Sequence, residues 1–252
     1  MNATFFRQRR ALLRAGLATC GVAAVAGIAG ELYLAPPVGQ YRFSGGIMGT
    51  VYNVSFVAAL ADSALRTAAR DAVEAALESV DARMSTFRPA SELMRFNRHR
   101  RGSPFPVSED LFGIVRAAQH ISAASGGAFD VTAGPLVNAW GFGPRKQARV
   151  PGGDELARLR RQVGYRLLEL DEGARTITKL HRDMYMDLSS IAKGYGVDLA
   201  ARALDNLGIE RYVIEVGGEV CARGCDVQDR PWQVGIEEPQ AGPHVARSIV
   251  AL

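Results

Sequence analysis

A helical pattern near the start of the chain restricts the choice of folds more than any other feature of the sequence. Apolar side chains recur at spacings of three and four from Leu65 to Met84, which predicts a helix with one buried face. Asp62 or Ser63 can cap this helix. Residues 41–57, just before it, alternate around a glycine-containing turn and predict two strands. Strands and helices are thus both expected in the first hundred residues.

The later elements do not follow a regular strand–helix–strand order. Further helices are predicted from Ser108 to Gly126-Gly127 with Leu111, Val115 and Ile121 facing inward, from Asp154 to about Gly164, and from Ser189 or Ser190 to Gly208. Strands are predicted over residues 165–179 (a hairpin), 185–188, 211–223 (with Gly217-Gly218 inside) and 232–236, while residues 85–101 are interpreted as irregular. This mixture favours the α+β class. No linker divides residues 31–252, so we predict a single large domain of helices and antiparallel strands.

The excess of positive charge is confined to the first residues of the chain. The formal net charge is +4, and Arg7, Arg9, Arg10 and Arg14 account for it. The remainder is balanced, so we predict no nucleic-acid partner. Residues 1–30 combine adjacent arginines with an acid-free run rich in Ala and Gly, which is typical of a twin-arginine export signal. We therefore expect a bacterial periplasmic protein, with an uncleaved inner-membrane anchor or lipidation at Cys20 as alternatives.

Three segments combine glycines, aromatic rings and polar groups as ligand sites do. Glycines flank Met48, where the backbone can approach a flat ligand or form a plain turn. Phe87 and neighbouring polar groups follow the first long helix, as a lid or as an ordinary capping loop. The long apolar loop over residues 127–143 contains one acid, Asp130, and is better explained as a pocket wall than as a linker.

A fourth segment, from Met186 to Asp198, has the chemistry of an anion site. A predicted strand runs there into a helix N-terminus, whose N–H groups and dipole favour an anion. Lys193 lies in the first turn, near enough to meet a phosphate. Asp187 and Ser190 offer hard oxygen ligands that suit Mg²⁺. The same residue types also serve as plain caps and ion pairs, so the spacing alone leaves both interpretations open.

Taken in order, these segments resemble the ApbE family of flavin transferases over about residues 43 to 240. The resemblance rests on residues 46–50 (Gly-Ile-Met-Gly-Thr), 84–87 (Met-Ser-Thr-Phe), 91–93 with Asn97, 129–143, 187–195 and 215–219. It implies that FAD is the substrate and Mg²⁺ the cofactor. It also implies transfer of FMN to a Thr or Ser hydroxyl of a target flavoprotein, through a phosphoester bond and with release of AMP. We expect that target to be a membrane electron-transfer component.

The resemblance further implies which residues contact the ligands. FAD is expected against Met48, Phe87, Ala128, Phe129, Asp130, Asp187 and Lys193, and the metal at Ser190. Phe87 stands where the family often has Tyr, which keeps the ring and loses a hydroxyl. Glu215 and Gly217-Gly218 match a motif beside the cofactor, as direct contacts or as a buried strand with a bulge.

The family pattern continues past the position of Leu252 with motifs that this sequence does not contain. They include a His-x-Ile-Asp-Pro segment and an Asp and a Thr that complete the metal site. We therefore expect the C-terminal part of the fold to be missing, and the catalytic residues stay unassigned. An FAD pyrophosphatase and a non-catalytic flavin-binding or assembly protein are the alternative functions. Cys221 and Cys225, four residues apart, are expected as free thiols or as a local disulfide.

Overall fold

The computed structural model describes residues 37–100, 102–144, 150–239 and 245–252. The predicted export signal over residues 1–30, with Cys20, lies outside them. The helices described are α1 Ser63–Met84, α2 Glu92–Arg98, α3 Glu109–Ala124, α4 Gly134–Ala139, α5 Gly153–Arg160 and α6 Ala192–Asn206. The strands are β1 Val38–Ile47, β2 Thr50–Ala59, β3 Phe105–Pro106, β4 Leu168–Asp171, β5 Thr176–Lys179, β6 Tyr212–Val216, β7 Glu219–Arg223, β8 Gln233–Glu237 and β9 Ala246–Ala251.

An antiparallel sheet with the strand order β1-β2-β6-β7 organises the fold. β1 and β2 form a hairpin in which Ile47 pairs with Thr50, and β6 and β7 form a second hairpin in which Val216 pairs with Glu219. β2 pairs with β6, with Tyr52 opposite Val216, so the two hairpin turns lie at the same end of the sheet. Mixed helices and antiparallel strands confirm the predicted α+β class.

Two helices cover one face of this sheet. α1 begins where the sequence predicts, because the Asp62 carboxylate accepts a hydrogen bond from the Leu65 amide at 2.7 Å. Its stripe packs with α6 and the sheet in one core cluster, whose fully buried members include Val73, Leu77, Ala200, Leu204 and Ile214. Burial of these side chains is the main favourable contribution to the packing of this layer.

A second core cluster lies between α2, α3 and the three-stranded sheet of order β3-β5-β4. Leu93, Phe96, Leu111, Ile177 and Met186 are fully buried within it. Met48, at the tip of the β1–β2 hairpin, packs against both clusters. The hairpin tip therefore lies where the two cores meet.

The structure corrects the prediction for residues 85–101. They contain a helix, α2, capped by the Ser91 hydroxyl, which accepts from the Met94 amide at 3.0 Å. Seven residues are too few to show a clear helical period in the sequence, so the polar residues around α2 hide it.

The predicted strand over residues 185–188 is also wrong. Its backbone groups bond to a side chain and to a loop rather than to a strand. The Met186 amide donates to Asn97 Oδ1 at 2.8 Å and the Asp187 amide donates to the Val131 carbonyl at 2.8 Å. This segment joins no sheet.

Three smaller predictions were wrong as well. Ile121 is 41% exposed, because the buried face of α3 runs through Leu111, Val115, Ala118 and Ser122. Neither Ser189 nor Ser190 caps α6, whose N-cap position is Ile191. Residues 211–223 form two strands rather than one, since Gly217-Gly218 is the turn between them.

Other features of the chain were either left open by the sequence or not addressed by it. Cys221 and Cys225 are free thiols in the structure. The β8–β9 hairpin exposes most of its residues to solvent. In the part of the chain that the structure describes, no helix combines the length and apolar character needed to cross a membrane.

Candidate functional site

A cavity of about 230 Å³ opens beside the tip of the first hairpin, and we call it the Met48 cavity. Its walls come from four parts of the chain: the hairpin turn, the end of α1, the loop that follows α1, and the start of α6. The lining residues are Met48, Thr50, Met84, Ser85, Thr86, Phe87, Ser189, Ala192 and Lys193. Three of the residues predicted to contact FAD, namely Met48, Phe87 and Lys193, thus line one cavity.

Two tight turns of the same kind lie beside each other at the end of the central sheet. Met48 and Gly49 have φ values of 50° and 74°, and Gly217 and Gly218 have 54° and 96°. Positive φ at both central positions is the type I′ geometry that joins two-residue hairpins. The Gly217 amide donates to the Val51 carbonyl at 3.1 Å, so the second turn is bonded to the first hairpin.

Close packing limits the bulk that is tolerated at Gly217 and beside the Met48 side chain. A Cβ atom added to Gly217 would lie 2.8 Å from Thr50 Cγ2, inside van der Waals contact. A Cβ on Gly196 of α6 would lie 3.3 Å from Met48 Cε, so the Met48 side chain rests against that helix. Packing of the Met48 side chain on α6 thus accompanies its uncommon backbone conformation.

Lys193 is the cation of the cavity. Its Nζ donates to the Gly217 carbonyl at 2.9 Å and lies 3.9 Å from a carboxylate oxygen of Glu219. The side chain is 32% exposed. The ammonium group is therefore fixed to the second turn while it still faces the cavity, where it can meet an anionic ligand.

Asp187 holds Ser189, another residue that lines the cavity. Its Oδ1 accepts from the Ser189 amide at 2.9 Å and from the Ser189 hydroxyl at 2.6 Å. Ser189 lines the Met48 cavity, whereas Asp187 stands directly behind it. The structure thus places the aspartate beside the cavity and a serine that the sequence prediction did not select on its surface.

Ser190, the predicted metal ligand, faces a neighbouring cavity of about 360 Å³. The carboxylate residues Asp198 and Glu219 line the same cavity. These oxygen donors match the preference of Mg²⁺, which commonly takes one or two carboxylates and completes its shell with water and substrate phosphates. Within the described residues, no three His, Cys, Asp or Glu side chains are grouped as a metal site would require. The donor type therefore fits Mg²⁺, as a partial ligand set.

Residues 128–130 lie apart from the lining of the Met48 cavity. Asp130 uses both carboxylate oxygens within the chain: Oδ1 accepts from the Thr132 amide at 2.8 Å and Oδ2 from the Tyr165 amide at 2.8 Å. Phe129 packs against the second core cluster, and Ala128 is exposed. The Asp130 carboxylate fixes the loop, so what this segment offers a ligand is chiefly the backbone and the exposed side of Ala128.

The prediction that residues 127–143 form a loop is wrong, because they contain helix α4, but they do form a pocket wall, as their composition predicts. Together with the start of the next segment they line a separate cavity of about 400 Å³. The lining residues from this region are Pro135, Asn138, Ala139 and Pro144, which face Met94, Glu155, Leu159 and Tyr185.

Several cavity residues had no signal of their own in the sequence. Thr50, Ser85, Thr86 and Ser189 are small polar residues within the family motifs, in which the prediction selected other members. Thr86 is only 5% exposed although it lines the cavity. Their positions follow from which strands and loops meet, which the order of residues along the chain does not show.

Comparison with known proteins identifies the family of this chain. The model of the ApbE family matches residues 48–252. The chain belongs to the ApbE family. It is 39% identical over 218 residues to the FAD:protein FMN transferase of Vibrio cholerae, and 37% identical over 214 residues to that of Haemophilus influenzae. These alignments cover 85% and 83% of this chain, but only 64% and 62% of the relatives.

Solved structures of ApbE proteins have the same fold. The flavin transferase ApbE of Vibrio cholerae superposes with a TM-score of 0.77 at 39% identity, covering 85% of this chain and 69% of that one. The apo flavinyl transferase ApbE of Pseudomonas stutzeri gives 0.75 at 34% identity, covering 85% and 68%. The chain thus spans just under two thirds of the curated relatives and has their mixed antiparallel architecture.

Proposed function

We propose that this protein transfers FMN from FAD to a Thr or Ser hydroxyl of a target flavoprotein. The hydroxyl oxygen forms a new bond to the phosphorus on the FMN side of the pyrophosphate, the bond to the AMP oxygen breaks, and the hydroxyl proton is released. The observation that carries the proposal is the Met48 cavity, where a cation, an aromatic ring and a glycine turn converge in a chain of the ApbE family. Transfer of this kind depends mainly on positioning and on stabilising charge.

Each wall of the cavity has a proposed task. Lys193 meets the negative charge of the pyrophosphate, and its bond to the Gly217 carbonyl keeps it in place as charge shifts toward the leaving AMP. Phe87, 56% exposed at the cavity, offers its ring face to a flat ring of the ligand. Met48 provides closely packed backbone, Asp187 holds Ser189, and residues 128–130 extend the flavin contact beyond the cavity.

Magnesium belongs to the proposal as a cofactor beside the pyrophosphate. Ser190, with Asp198 and Glu219 in the same cavity, would supply protein oxygen donors to it. When bound, the ion would neutralise phosphate charge. Dependence of the transfer on Mg²⁺ is therefore part of the test.

We further propose that the protein acts in the bacterial periplasm on a membrane electron-transfer component. The twin-arginine pattern of residues 1–30 supports the location. Fractionation of cells that express the full chain, with and without Arg9→Lys and Arg10→Lys together, tests it. The proposal requires the native chain in the periplasm and the variant in the cytoplasm.

The activity is tested with the purified 252-residue chain, FAD, Mg²⁺ and a candidate acceptor domain. Mass spectrometry should show the acceptor gaining one FMN phosphoester, with an equal amount of AMP in solution. Lys193→Ala should weaken FAD binding or slow transfer at least tenfold, because the pyrophosphate loses its nearest cation. Arg230→Ala is the charge-matched control, since Arg230 pairs with Asp226 beyond the end of β7 that is opposite to the Gly217 turn.

The alternative functions give different products. FMN and AMP released equally without any acceptor would identify an FAD pyrophosphatase. FAD binding with no AMP, whatever acceptor or metal is present, would identify a flavin-binding protein without catalysis. Equal effects of the Lys193 and Arg230 substitutions would remove Lys193 from the site.

A further inference from the structure

Helix α2, which the sequence prediction missed, is bonded through its cap to Ser85, which lines the Met48 cavity, and through Asn97 to the segment that leads to Ser189, which lines it as well. On one side, the Ser91 hydroxyl donates to the Ser85 carbonyl at 2.7 Å, next to the Thr86-Phe87 wall. On the other side, the Asn97 amide bonds to the backbone of Met186, directly before Asp187. One short helix thus connects two of the segments that contribute residues to the cavity.

Two hydrogen bonds join the Asn97 side chain to the Met186 backbone. Asn97 Nδ2 donates to the Met186 carbonyl at 2.8 Å, and Asn97 Oδ1 accepts from the Met186 amide at 2.8 Å. The Asn97 side-chain amide thus satisfies both backbone groups of Met186, which pair with no strand. Both residues are buried, Asn97 at 8% exposure and Met186 at 0%, so water cannot readily substitute for either hydrogen bond.

A buried lysine fixes Asn97 in turn. Lys179 Nζ donates to the backbone carbonyl of Asn97 at 2.8 Å and to that of Met184 at 3.0 Å. The same ammonium lies 4.9 Å from the centre of the Phe96 ring. Lys179 therefore ties the end of α2 to the segment that leads into Met186.

We infer that Asn97 is a positioning residue, whose side-chain amide sets the place of the Asp187–Ser189 wall in the Met48 cavity. The order of contacts runs from Asn97 to the Met186 backbone, then to Asp187, and through its carboxylate to Ser189. Asn97 lines neither the Met48 cavity nor the Ser190 cavity, so it acts through these neighbours. Its effect on FAD binding rests on the proposed function, whereas its effect on the wall does not.

The test compares the full chain with Asn97→Ala and Asn97→Asp. Asn97→Asp keeps the side-chain volume and an acceptor for the Met186 amide, but it loses the donor to the Met186 carbonyl, so it serves if the alanine variant does not fold. Asp226→Ala is the matched control. Asp226 also holds backbone, accepting from the amides of Gln228 at 2.8 Å and Arg230 at 3.0 Å, beyond the end of β7 opposite to the Gly217 turn.

Two measurements separate the inference from the proposed function. Hydrogen exchange of the peptide over residues 184–190, followed by mass spectrometry without flavin, should speed up tenfold or more in the Asn97 variants and stay unchanged in Asp226→Ala. FAD titration should show a Kd raised tenfold or more in the Asn97 variants and within twofold of wild type in Asp226→Ala. The comparison is made between variants that lose similar amounts of folding stability.

Unchanged exchange over residues 184–190 in both Asn97 variants would overturn the inference. So would accelerated exchange with an unchanged Kd, because the wall would then move without consequence for the ligand. If the wild-type chain binds no FAD, the proposed function fails, and the exchange measurement still decides whether Asn97 fixes the wall.

Discussion

Replacing Lys179 with methionine should change how the stability of this protein depends on pH. Lys179 is 3% exposed, and burial, together with the charge of Arg100, lowers its pKa from the ordinary 10.5 to about 8, while Asp183 acts in the opposite direction. The folded protein therefore binds this proton less tightly than the unfolded chain does. Below pH 8 both states carry the proton, and the folded state bears the whole cost of the buried charge.

The free-energy cost of burying the Lys179 charge disappears as pH rises from the folded-state pKa of about 8 toward the unfolded-state value of 10.5. There the unfolded chain binds more protons than the folded one, so the free energy of unfolding increases with pH. A pKa lowered by this amount corresponds to a gain of about 2 to 3 kcal/mol between pH 7 and pH 10. Lys179→Met has no proton to lose at this position. The free energy of unfolding of the wild type minus that of the variant should therefore rise by about 2 to 3 kcal/mol between pH 7 and pH 10.

Urea unfolding of the full chain, followed by tryptophan fluorescence at several pH values, measures this difference. Burial and hydrogen bonds to carboxylates raise the pKa values of Tyr52, Tyr195 and Tyr212 to about 12, so these tyrosines stabilise the fold less as pH rises above about 10. Both proteins share that loss, and it cancels in the difference. A difference that stays flat within about 0.5 kcal/mol from pH 7 to pH 10 would refute the reasoning.

The neighbouring charges provide a control that does not remove the lysine. Arg100→Gln takes away a repelling charge and should raise the pKa of Lys179, whereas Asp183→Asn takes away an attracting one and should lower it. The chain has three lysines, Lys146, Lys179 and Lys193, so NMR of the lysine Cε carbons can follow the titration directly. Shifts of the midpoint in the same direction for both variants would contradict the assignment of causes.

Two further predictions concern the turn beside the cavity and a thiol on β7. Gly217→Ala should lower the free energy of unfolding by about 2 to 3 kcal/mol, because alanine is strained at positive φ and its Cβ would meet Thr50. Gly218→Ala, at positive φ but with open space around it, should cost about 1 kcal/mol in the same urea assay, and equal costs would argue against the clash with Thr50. Burial, with the nearby Asp198 and Asp205 charges, raises the pKa of the Cys221 thiol, so iodoacetamide at pH 8 should modify it more slowly than a thiol in an unstructured peptide. Peptide mapping by mass spectrometry checks this, and an equal rate would show that the thiolate is not disfavoured there.

Local pattern was sufficient for the elements that have a strong period or a clear turn signal. The stripe from Leu65 to Met84 predicts α1 with a cap at Asp62 or Ser63, and the glycine-flanked alternation predicts the β1–β2 hairpin. The family resemblance likewise directed attention to Met48, Phe87 and Lys193, which line one cavity. The helix and hairpin predictions succeed because neighbours along the chain largely determine both elements.

The tertiary structure alone decided how the remaining parts meet. Asn97 bonds to Met186 across 89 positions of sequence, and α2 is too short to reveal itself by periodicity. Ser189 rather than Ser190 lines the Met48 cavity, because the Asp187 carboxylate holds its hydroxyl and amide. Position 217 has no room for a side chain, because β2 and β6 pair and bring Thr50 against Gly217. Contacts of this kind depend on which elements pack together, and burial of apolar surface, rather than local sequence, selects that arrangement.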